Sequence, residues 1–306
     1  MHELIESEPK ANQHLHLTGA LSLPYIRDGA RREGISIAEY EPLETKNFEQ
    51  PDIWTLAKYL TSTSRGFLDS MKHVVDNQAQ DNVELVELTF NPYGMVRRGM
   101  SSQEIAWAVQ LAFEYGRSSG VKLLVRPGVN RKDGPESITY VHDVYQAINE
   151  KHRLGIDLNG DERQFSTKPF VSGFRDLAEQ GVQTSIHAGE FSDLDESLRW
   201  ALEAQPKRIG HAVAAIANCD LLSQIHDQNI TIEVALTSSL RRGAVGSIYD
   251  HPVTTFVDND IKVVFGTDDP TFFDNTMSNE FQLLSRLGIT PPHLRGIMTN
   301  DKQGDN

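Results

Sequence analysis

The sequence predicts an α/β fold, a (β/α)8 TIM-type barrel with extra helices between strands one and two. Eight short apolar runs alternate with amphipathic segments of helical period along the 306 residues, which is the pattern of a parallel sheet. Six of the eight runs end in polar side chains, as the strands of catalytic barrels do. No Gly/Ser linker or low-complexity tract divides the chain, so residues 1–306 are predicted to form one domain.

The predicted strands are short and rich in Val, Ile, Leu and Phe. Several are apolar nearly throughout, which is typical of parallel strands covered on both sides. A count of eight favours a closed barrel over the alternative, an open doubly wound sheet. The eight strands are expected at Gln13–Leu17, Val83–Phe90, Val121–Val129, Leu154–Leu158, Val182–His187, Arg208–Ala212, Ile230–Leu236 and Ile261–Gly266.

Helices are predicted between these strands. The helix Ser101–Ser118 opens on Ser-Ser-Gln-Glu, an N-terminal cap signal, and stops near Gly120. Residues 21–80 are expected to carry two or more helices and an irregular piece near Glu39–Asp52. The other predicted helices are Pro135–Lys151, Lys168–Glu179, Leu194–Ala204, Cys219–Gln228 and Asn279–Leu287.

The charge balance argues against several partners. Lys and Arg total 29 and Asp and Glu total 43, so the formal net charge is −14. Nucleic acids and anionic membranes require a basic footprint, so neither is expected as the main partner. No Gly-x-Gly-x-x-Gly follows an early strand and no Walker-type loop is present, which disfavours dinucleotide and P-loop interpretations.

Cys219 is the only cysteine. One cysteine excludes an internal disulfide framework and a Cys-type zinc finger, and it fits a reducing compartment. The first ten residues are acidic and lack an apolar core, and no stretch approaches the length needed to span a bilayer. We therefore expect a cytoplasmic protein without a signal peptide.

The predicted strand ends carry the residue types of a metal site. His14 and His16 lie two apart, which on a strand places both imidazoles on the same side. His187 ends the fifth strand and Asp268 follows the eighth. Three imidazoles and one carboxylate suit a divalent metal, zinc among others. Glu233, in an apolar strand, needs a partner, which a metal-ligating histidine would supply.

Other polar residues at strand ends are candidates for acid–base work. Glu190, three residues after His187, is a candidate proton donor if burial raises its pKa; alternatively it starts the next helix. His211 is a candidate base or orienting group. Asp268 and Asp269 would point to opposite sides if both kept strand geometry, so they are expected to have different roles.

Taken together, the motifs resemble those of the adenosine deaminase family within the metal-dependent amidohydrolase barrels. The matching pieces occur in the family's order and cover most of the chain. They are His14-Leu15-His16-Leu17-Thr18-Gly19-Ala20-Leu21, Asp157-Leu158-Asn159-Gly160-Asp161-Glu162, His187-Ala188-Gly189-Glu190, Arg208-Ile209-Gly210-His211, Thr237-Ser238-Ser239 and Thr267-Asp268-Asp269-Pro270.

The resemblance implies a zinc-dependent deaminase of a 6-aminopurine nucleoside, with one zinc per chain. It implies Glu190 as the acid that protonates purine N1 and His211 as the group that orients or deprotonates the attacking water. The resemblance also implies that Asp268 stabilises the attacking hydroxyl, that Gly160 contacts purine N3 and that Asp269 contacts N7. The implied metal ligands are His14, His16, His187 and Asp268; the implied substrate-binding residues are His16, Thr18, Gly160 and Asp269.

Three positions depart from the family pattern and leave the substrate open. Thr18 stands where typical adenosine deaminases have the Asp that binds the ribose 5′ hydroxyl, Ser239 replaces a usual Asn, and Ala212 replaces a common Gly. Thr18 is neutral and so removes both a repulsive charge and a strong acceptor, which fits a nucleoside with a modified 5′ side, a phosphorylated one or a different 6-aminopurine derivative. The expected substrate is therefore adenosine or a 5′-modified adenosine, such as an aminodeoxyfutalosine-like nucleoside. Arg241 and Arg242 are either solvated surface or a basic rim for an acidic substituent.

Two other functions are compatible with the sequence. One is a metal-dependent amidohydrolase of the same barrel class that acts on a different C–N or ester bond. Such enzymes commonly have two metals and a bridging lysine. No lysine lies at the end of the fourth predicted strand, which disfavours this alternative. The other is a non-catalytic zinc barrel. A cytidine-deaminase type of zinc site is excluded because it needs two or three cysteines. A monomer and a homodimer are both compatible with the sequence.

Overall fold

The structure, a computed structural model, describes residues 8–35 and 51–289. Within these ranges it contains eight β-strands, whose bounds agree with the predicted ones to within a few residues. They are β1 (Lys10–His16), β2 (Val83–Phe90), β3 (Lys122–Asn130), β4 (Ile156–Asn159), β5 (Thr184–Ala188), β6 (Arg208–His211), β7 (Thr231–Val234) and β8 (Val263–Phe265).

The strands form one sheet in the order β1 to β8, and each pairs in parallel with the next. The two ends of the sheet meet where the Asp268 amide donates to the His14 carbonyl and the His16 amide donates to the Asp268 carbonyl, at 2.8 and 3.0 Å. These bonds make the barrel nearly closed. The predicted (β/α)8 barrel is confirmed.

Helices connect the strands. Between β1 and β2 lie α1 (Leu23–Arg32), α2 (Pro51–Leu60) and α3 (Ser64–Gln80), so the extra helices are present. The predicted irregular piece lies outside the described residues, except for its last two, which begin α2. No helix within the described ranges is long and apolar enough to cross a membrane. The later helices are α4 (Tyr93–Val96), α5 (Ser102–Ser118), α6 (Ser137–Ala147), α7 (Val171–Glu179), α8 (Asp195–Glu203), α9 (Cys219–Asp227), α10 (Leu236–Arg241), α11 (Val253–Asp258), α12 (Pro270–Phe273) and α13 (Met277–Arg286).

The chain after β7 differs from the prediction. The seventh strand was expected to reach Leu236, but α10 begins at that residue. Glu280 explains the early start, because its buried carboxylate accepts hydrogen bonds from the amides of Leu236 and Thr237, both at 2.9 Å. A side chain 44 positions away thus caps the first turn, and short-range periodicity does not reveal it.

The interior of the barrel holds a charged layer as well as apolar side chains. Glu87 accepts from Arg126 and Arg208 at 3.1 and 2.8 Å, and Glu233 pairs with the same two arginines at 2.9 and 2.7 Å. Buried charges are tolerated when they are paired in this way. Glu233 also contacts His14, so the layer supports the residues at the carboxyl ends of the strands.

The buried imidazole of His251 makes stability depend on pH. Its Nδ1 accepts a hydrogen bond from the Val253 amide at 3.1 Å, and burial lowers its pKa from 6.5 to about 4. Because the folded pKa lies below the unfolded one, the contribution to stability is fully present above pH 6.5. It is lost as the pH falls from 6.5 towards 4.

We expect the His251→Asn variant, whose side-chain oxygen can accept the same amide, to lose less stability in acid than the parent chain. Between about pH 7.5 and 5 the parent should lose about 2 kcal/mol more than the variant. Urea unfolding at the two pH values measures the difference. Equal losses would show that His251 does not titrate in this way.

Candidate active site

A cavity with a volume of about 500 Å³ lies at the carboxyl ends of the strands. This is the end at which barrels of this type carry their active sites. His14 lies directly beneath the cavity, with its ring 5.4 Å from that of His16. The other candidate residues border it, namely His16, Thr18, Gly160, His187, Glu190, His211, Asp268 and Asp269.

Four side chains bring their ligand atoms together at the base of this cavity. The Nε2 atoms of His16 and His187 are 3.0 Å apart. Asp268 Oδ1 lies 3.4 Å from His16 Nε2 and 3.7 Å from His14 Nε2. A tetrahedral metal with bonds of about 2.0–2.1 Å separates its ligand atoms by about 3.3 Å, so these spacings fit a metal ion.

The buried Nε2 atom of His14 supports the same fit, because it has no hydrogen-bond partner among the described residues. An unpartnered buried nitrogen is costly unless something binds it. Three imidazoles and a carboxylate are donors that zinc and several other divalent metals accept. The residues present therefore fit a single divalent metal.

Two histidines of this cluster each have a carboxylate next to their Nδ1 atom. His14 Nδ1 lies 2.5 Å from Glu233 Oε2, and His187 Nδ1 lies 3.2 Å from Asp157 Oδ1. On the other side, Ser238 Oγ donates to Asp268 Oδ2 at 2.5 Å. Such partners fix the tautomer and orientation of metal-ligating groups. Glu233 has the expected histidine partner, His14, in addition to Arg126 and Arg208.

The charges around the histidines set their protonation in the metal-free cluster. Burial alone would lower the pKa of His14, but Asp268 and Glu233 outweigh it and raise that pKa to about 10. Burial and the neighbouring His187 lower the pKa of His16 to about 3. A metal that binds His14 must therefore displace a proton from it.

Glu190 is held as a buried carboxyl group beside this cluster. Its amide and that of Gly189 donate to the carboxylate of Glu162, at 2.6 and 3.0 Å, which fixes the turn after β5. The helix α8 begins only at Asp195, so Glu190 does not start it. Burial raises the pKa of Glu190 to about 7, although Arg242 opposes the rise. A carboxyl group with this pKa can donate a proton near neutral pH.

His211 lies on the same wall of the cavity. Its Nε2 is 4.0 Å from Glu190 Oε1, and its φ of +70° is in the left-handed region, a strained backbone of the kind found at functional sites. Burial holds the pKa of His211 well below 6.5. The neutral ring can therefore accept a proton.

Asp268 and Asp269 differ from the strand geometry considered in the sequence analysis. Asp268 has a φ of +60°, which breaks the alternation of the strand, and both side chains line the same cavity. Burial and the charge of Asp268 raise the pKa of Asp269 well above 3.8. Its carboxyl group is therefore suited to donate a hydrogen bond to a ligand.

Gly19 leaves the space that the Asp269 side chain occupies. A Cβ atom at residue 19 would lie 1.7 Å from Asp269 Oδ1, so any other residue there must move the carboxyl group. We expect Gly19→Ala to lower kcat/KM by about 10-fold or more, because the displaced Asp269 carboxyl group would no longer make the substrate contact that the family resemblance implies, while metal content stays unchanged.

The matched control is Gly246→Ala, whose Cβ would meet only Asp250 at 3.6 Å, an ordinary contact. Steady-state ammonia release and metal analysis of both variants measure the effect. Parental kinetics in Gly19→Ala would remove the link between this glycine and Asp269.

Gly160 and Thr18 also border the cavity. Gly160 has a φ of +97° at the end of β4, and its carbonyl accepts from Arg131 at 3.1 Å. Thr18 begins a short 3-10 turn directly after β1. The structure thus brings together every residue that the sequence analysis named as a metal ligand, catalytic residue or substrate-binding residue.

The sequence analysis did not identify Arg131, and it left open whether Arg242 belongs to the site. Arg131, which follows β3, is buried and donates to the carbonyls of Gly160 and His187. Arg242 is not on a solvated surface, because its Nε lies 2.7 Å from Glu190 Oε1. A basic residue directly after a strand was a usable signal for Arg131, whereas the position of Arg242 depends on the unpredicted helix α10.

The structure is a (β/α)8 barrel whose strand ends carry a cluster of His and Asp side chains that could hold a metal ion. The chain belongs to the adenosine deaminase family, whose model matches residues 9–302. It is therefore an enzyme of that family, and the family resemblance seen in the motifs is confirmed.

Similar proteins include two curated deaminases. An aminodeoxyfutalosine deaminase from Acidothermus cellulolyticus is 28% identical over 304 residues, covering 94% of this chain and 85% of the relative. An adenosine deaminase from Aliivibrio fischeri is 28% identical over 312 residues, covering 97% and 93%. Among solved structures, a zinc-bound amidohydrolase from Burkholderia ambifaria has a TM-score of 0.84 at 22% identity, covering 98% and 86%.

Proposed function

We propose that this enzyme deaminates a 6-aminopurine nucleoside, with one zinc ion per chain, to the 6-oxo product and ammonia. The observation that carries the proposal is the buried carboxyl group of Glu190 beside the cluster of His14, His16, His187 and Asp268, whose side chains could hold a metal ion. The substrate is adenosine or a 5′-modified adenosine, and the names of the two curated relatives support both.

The proposed metal ligands are His14, His16, His187 and Asp268. A divalent ion held there supplies Lewis-acid chemistry that lowers the pKa of water towards about 7. Zinc suits three nitrogens and one oxygen, and the zinc of the Burkholderia ambifaria structure supports this choice.

Glu190 is the proposed proton donor. With a pKa of about 7, its carboxyl group is partly protonated at neutral pH and can pass a proton to purine N1. Protonation of N1 makes C6 more electrophilic and avoids negative charge on the ring. Arg242, 2.7 Å from the carboxylate, stabilises the ionised form that the transfer leaves behind.

Three further groups complete the proposed chemistry. His211, neutral because of burial, accepts the proton of the attacking water. Asp269 donates a hydrogen bond to N7, which its raised pKa permits. The Gly160 amide donates to N3. These contacts hold C6 over the ligand cluster.

The proposed reaction has two stages, addition of water at C6 and loss of the amino group. The water oxygen bonds to C6 while its proton goes to His211 and the Glu190 proton goes to N1. The C6–N6 bond then breaks as the amino group takes the proton held by His211 and leaves as ammonia, while the proton of the C6 hydroxyl returns to Glu190. The product keeps the water oxygen at C6.

Ammonia release from a substrate panel tests the proposal. The panel contains adenosine, 2′-deoxyadenosine, 5′-deoxyadenosine, 5′-methylthioadenosine, adenosine 5′-monophosphate, adenine and N6-methyladenosine, each with metal-free and zinc-loaded enzyme. For N6-methyladenosine the released amine is methylamine, and it is measured in place of ammonia. We expect turnover of at least one adenine nucleoside or nucleotide that requires one zinc per chain. Two metals per chain and no ammonia would instead indicate an amidohydrolase of another bond.

A further inference from the structure

A second cavity, of about 190 Å³, opens beside the first. It is large enough for a group the size of a phosphate or a carboxylate. The two cavities share the residues that separate them, so a ligand in the first can extend into the second. The shared residues are His16, Thr18, Lys58, Asn91, Asn130 and Lys132.

The second cavity is basic although the chain carries a net charge of −14. Of the described residues that line it, Lys58, Lys132 and Arg98 are cationic and only Asp133 is acidic. The cations come from three separate parts of the chain, which are α2, the turn after β3 and the segment after α4. A concave wall with an excess of positive charge attracts anions.

Lys58 and Lys132 lie close enough to repel each other. Burial and the neighbouring Lys132 lower the pKa of Lys58, and Asp133 and Asp269 only partly offset this. Burial also raises the pKa of Asp133, although Lys132 and Lys58 oppose the rise, so this single carboxylate faces more than one cation. An anion between the two ammonium groups would relieve their repulsion.

The remaining walls suit a group attached to a nucleoside. Some are apolar and others offer hydroxyl groups. The neutral Thr18 stands at the junction of the two cavities, where a carboxylate would repel an anionic substituent and a threonine does not. The apolar residues are Leu17, Phe90 and Met95, and the other hydroxyl-bearing residues are Thr61 and Thr89.

We infer that this second cavity is a subsite for an anionic group, a phosphate or a carboxylate, carried by the 5′ carbon of the substrate and paired with Lys58, Lys132 and Arg98. The inference rests on the proposed function, since the purine must lie in the first cavity with its ribose towards Thr18. The inference assigns the anionic group of the substrate to the cations of the second cavity and not to Arg242, because Arg242 pairs with Glu190.

The test compares kcat/KM for anionic and neutral substrates. The anionic substrates are adenosine 5′-monophosphate and adenosine 5′-carboxylic acid, and the comparison between them distinguishes phosphate from carboxylate. The neutral substrates are adenosine and 5′-deoxyadenosine. We expect the parent enzyme to prefer one of the anionic pair, and this preference to fall as salt is raised.

The Lys58→Gln/Lys132→Gln double variant should lower the anionic-to-neutral ratio of kcat/KM by about 10- to 100-fold. The matched control is Lys122→Gln/Lys262→Gln, which removes the same charge at exposed positions at the amino ends of β3 and β8 and should leave the ratio unchanged. An unchanged ratio in the first variant, or a parental preference for neutral substrates, would overturn the subsite.

Failure of the proposed function is distinguishable from failure of the subsite. If neutral nucleosides are deaminated but no anionic one is preferred, the deaminase stands and the subsite fails. If no aminopurine is deaminated, calorimetric titration with inorganic phosphate and with benzoate still tests the subsite. Binding that is lost in the Lys58→Gln/Lys132→Gln variant supports it, and absent or unaltered binding overturns it.

Discussion

Replacement of Glu190 by Gln is expected to lower kcat by about 100- to 10,000-fold while the metal content stays at the parental level. The amide has nearly the same shape but cannot transfer a proton to N1. Glu190 is at the rim of the ligand cluster, and its turn is held by Glu162 through backbone amides, so the substitution should leave the metal ligands in place.

Ammonia release and metal analysis of the purified variant measure these two effects. Glu196→Gln, which changes an exposed carboxylate in the first turn of α8, is the matched control and should keep parental kinetics. Turnover of Glu190→Gln within about fivefold of the parent would remove the proton-donor role, since general acid catalysis contributes more than this.

Replacement of Asp268 by Ala is expected to abolish both metal binding and turnover. Asp268 Oδ1 lies 3.7 Å from His14 Nε2 and 3.4 Å from His16 Nε2, and its removal leaves the three imidazoles without the carboxylate ligand. Loss of a ligand should exceed the roughly 10- to 100-fold cost in metal affinity that is typical of losing an outer partner.

Zinc titration against a competing chelator measures the affinity. Asp268→Asn keeps the side-chain volume and the Ser238 contact, so it separates ligand loss from misfolding. Asp258→Ala, at the exposed end of α11, controls for a general loss of charge. A fully metallated and active Asp268→Ala variant would contradict the ligand assignment.

The barrel was predictable because its strands are local features. The apolar run Val83–Phe90 is the observed β2 without change, and the Ser101 capping box at the start of α5 is present. Parallel strands also place their carboxyl ends at one edge, which is why His14, His187 and Asp268 could be grouped although they are far apart in the chain.

Features that depend on long-range contacts were not predictable. The early start of α10 needs Glu280, and the approach of Arg242 to Glu190 depends on that helix. The basic cavity needs α2 to bring Lys58 against Lys132, and no periodicity within either segment encodes that meeting. The left-handed backbone of Asp268, three residues after β8, likewise accompanies its long-range hydrogen bonds to β1, which close the barrel.

Deamination in water enriched in the heavy oxygen isotope tests the proposed chemistry most directly. The zinc-loaded enzyme is incubated with the best substrate of the panel, and the product is analysed by mass spectrometry alongside ammonia. We expect one heavy oxygen atom at C6 and one ammonia per product molecule. An unlabelled product, or no conversion of any 6-aminopurine by the zinc-loaded enzyme, would contradict hydrolytic deamination at this site.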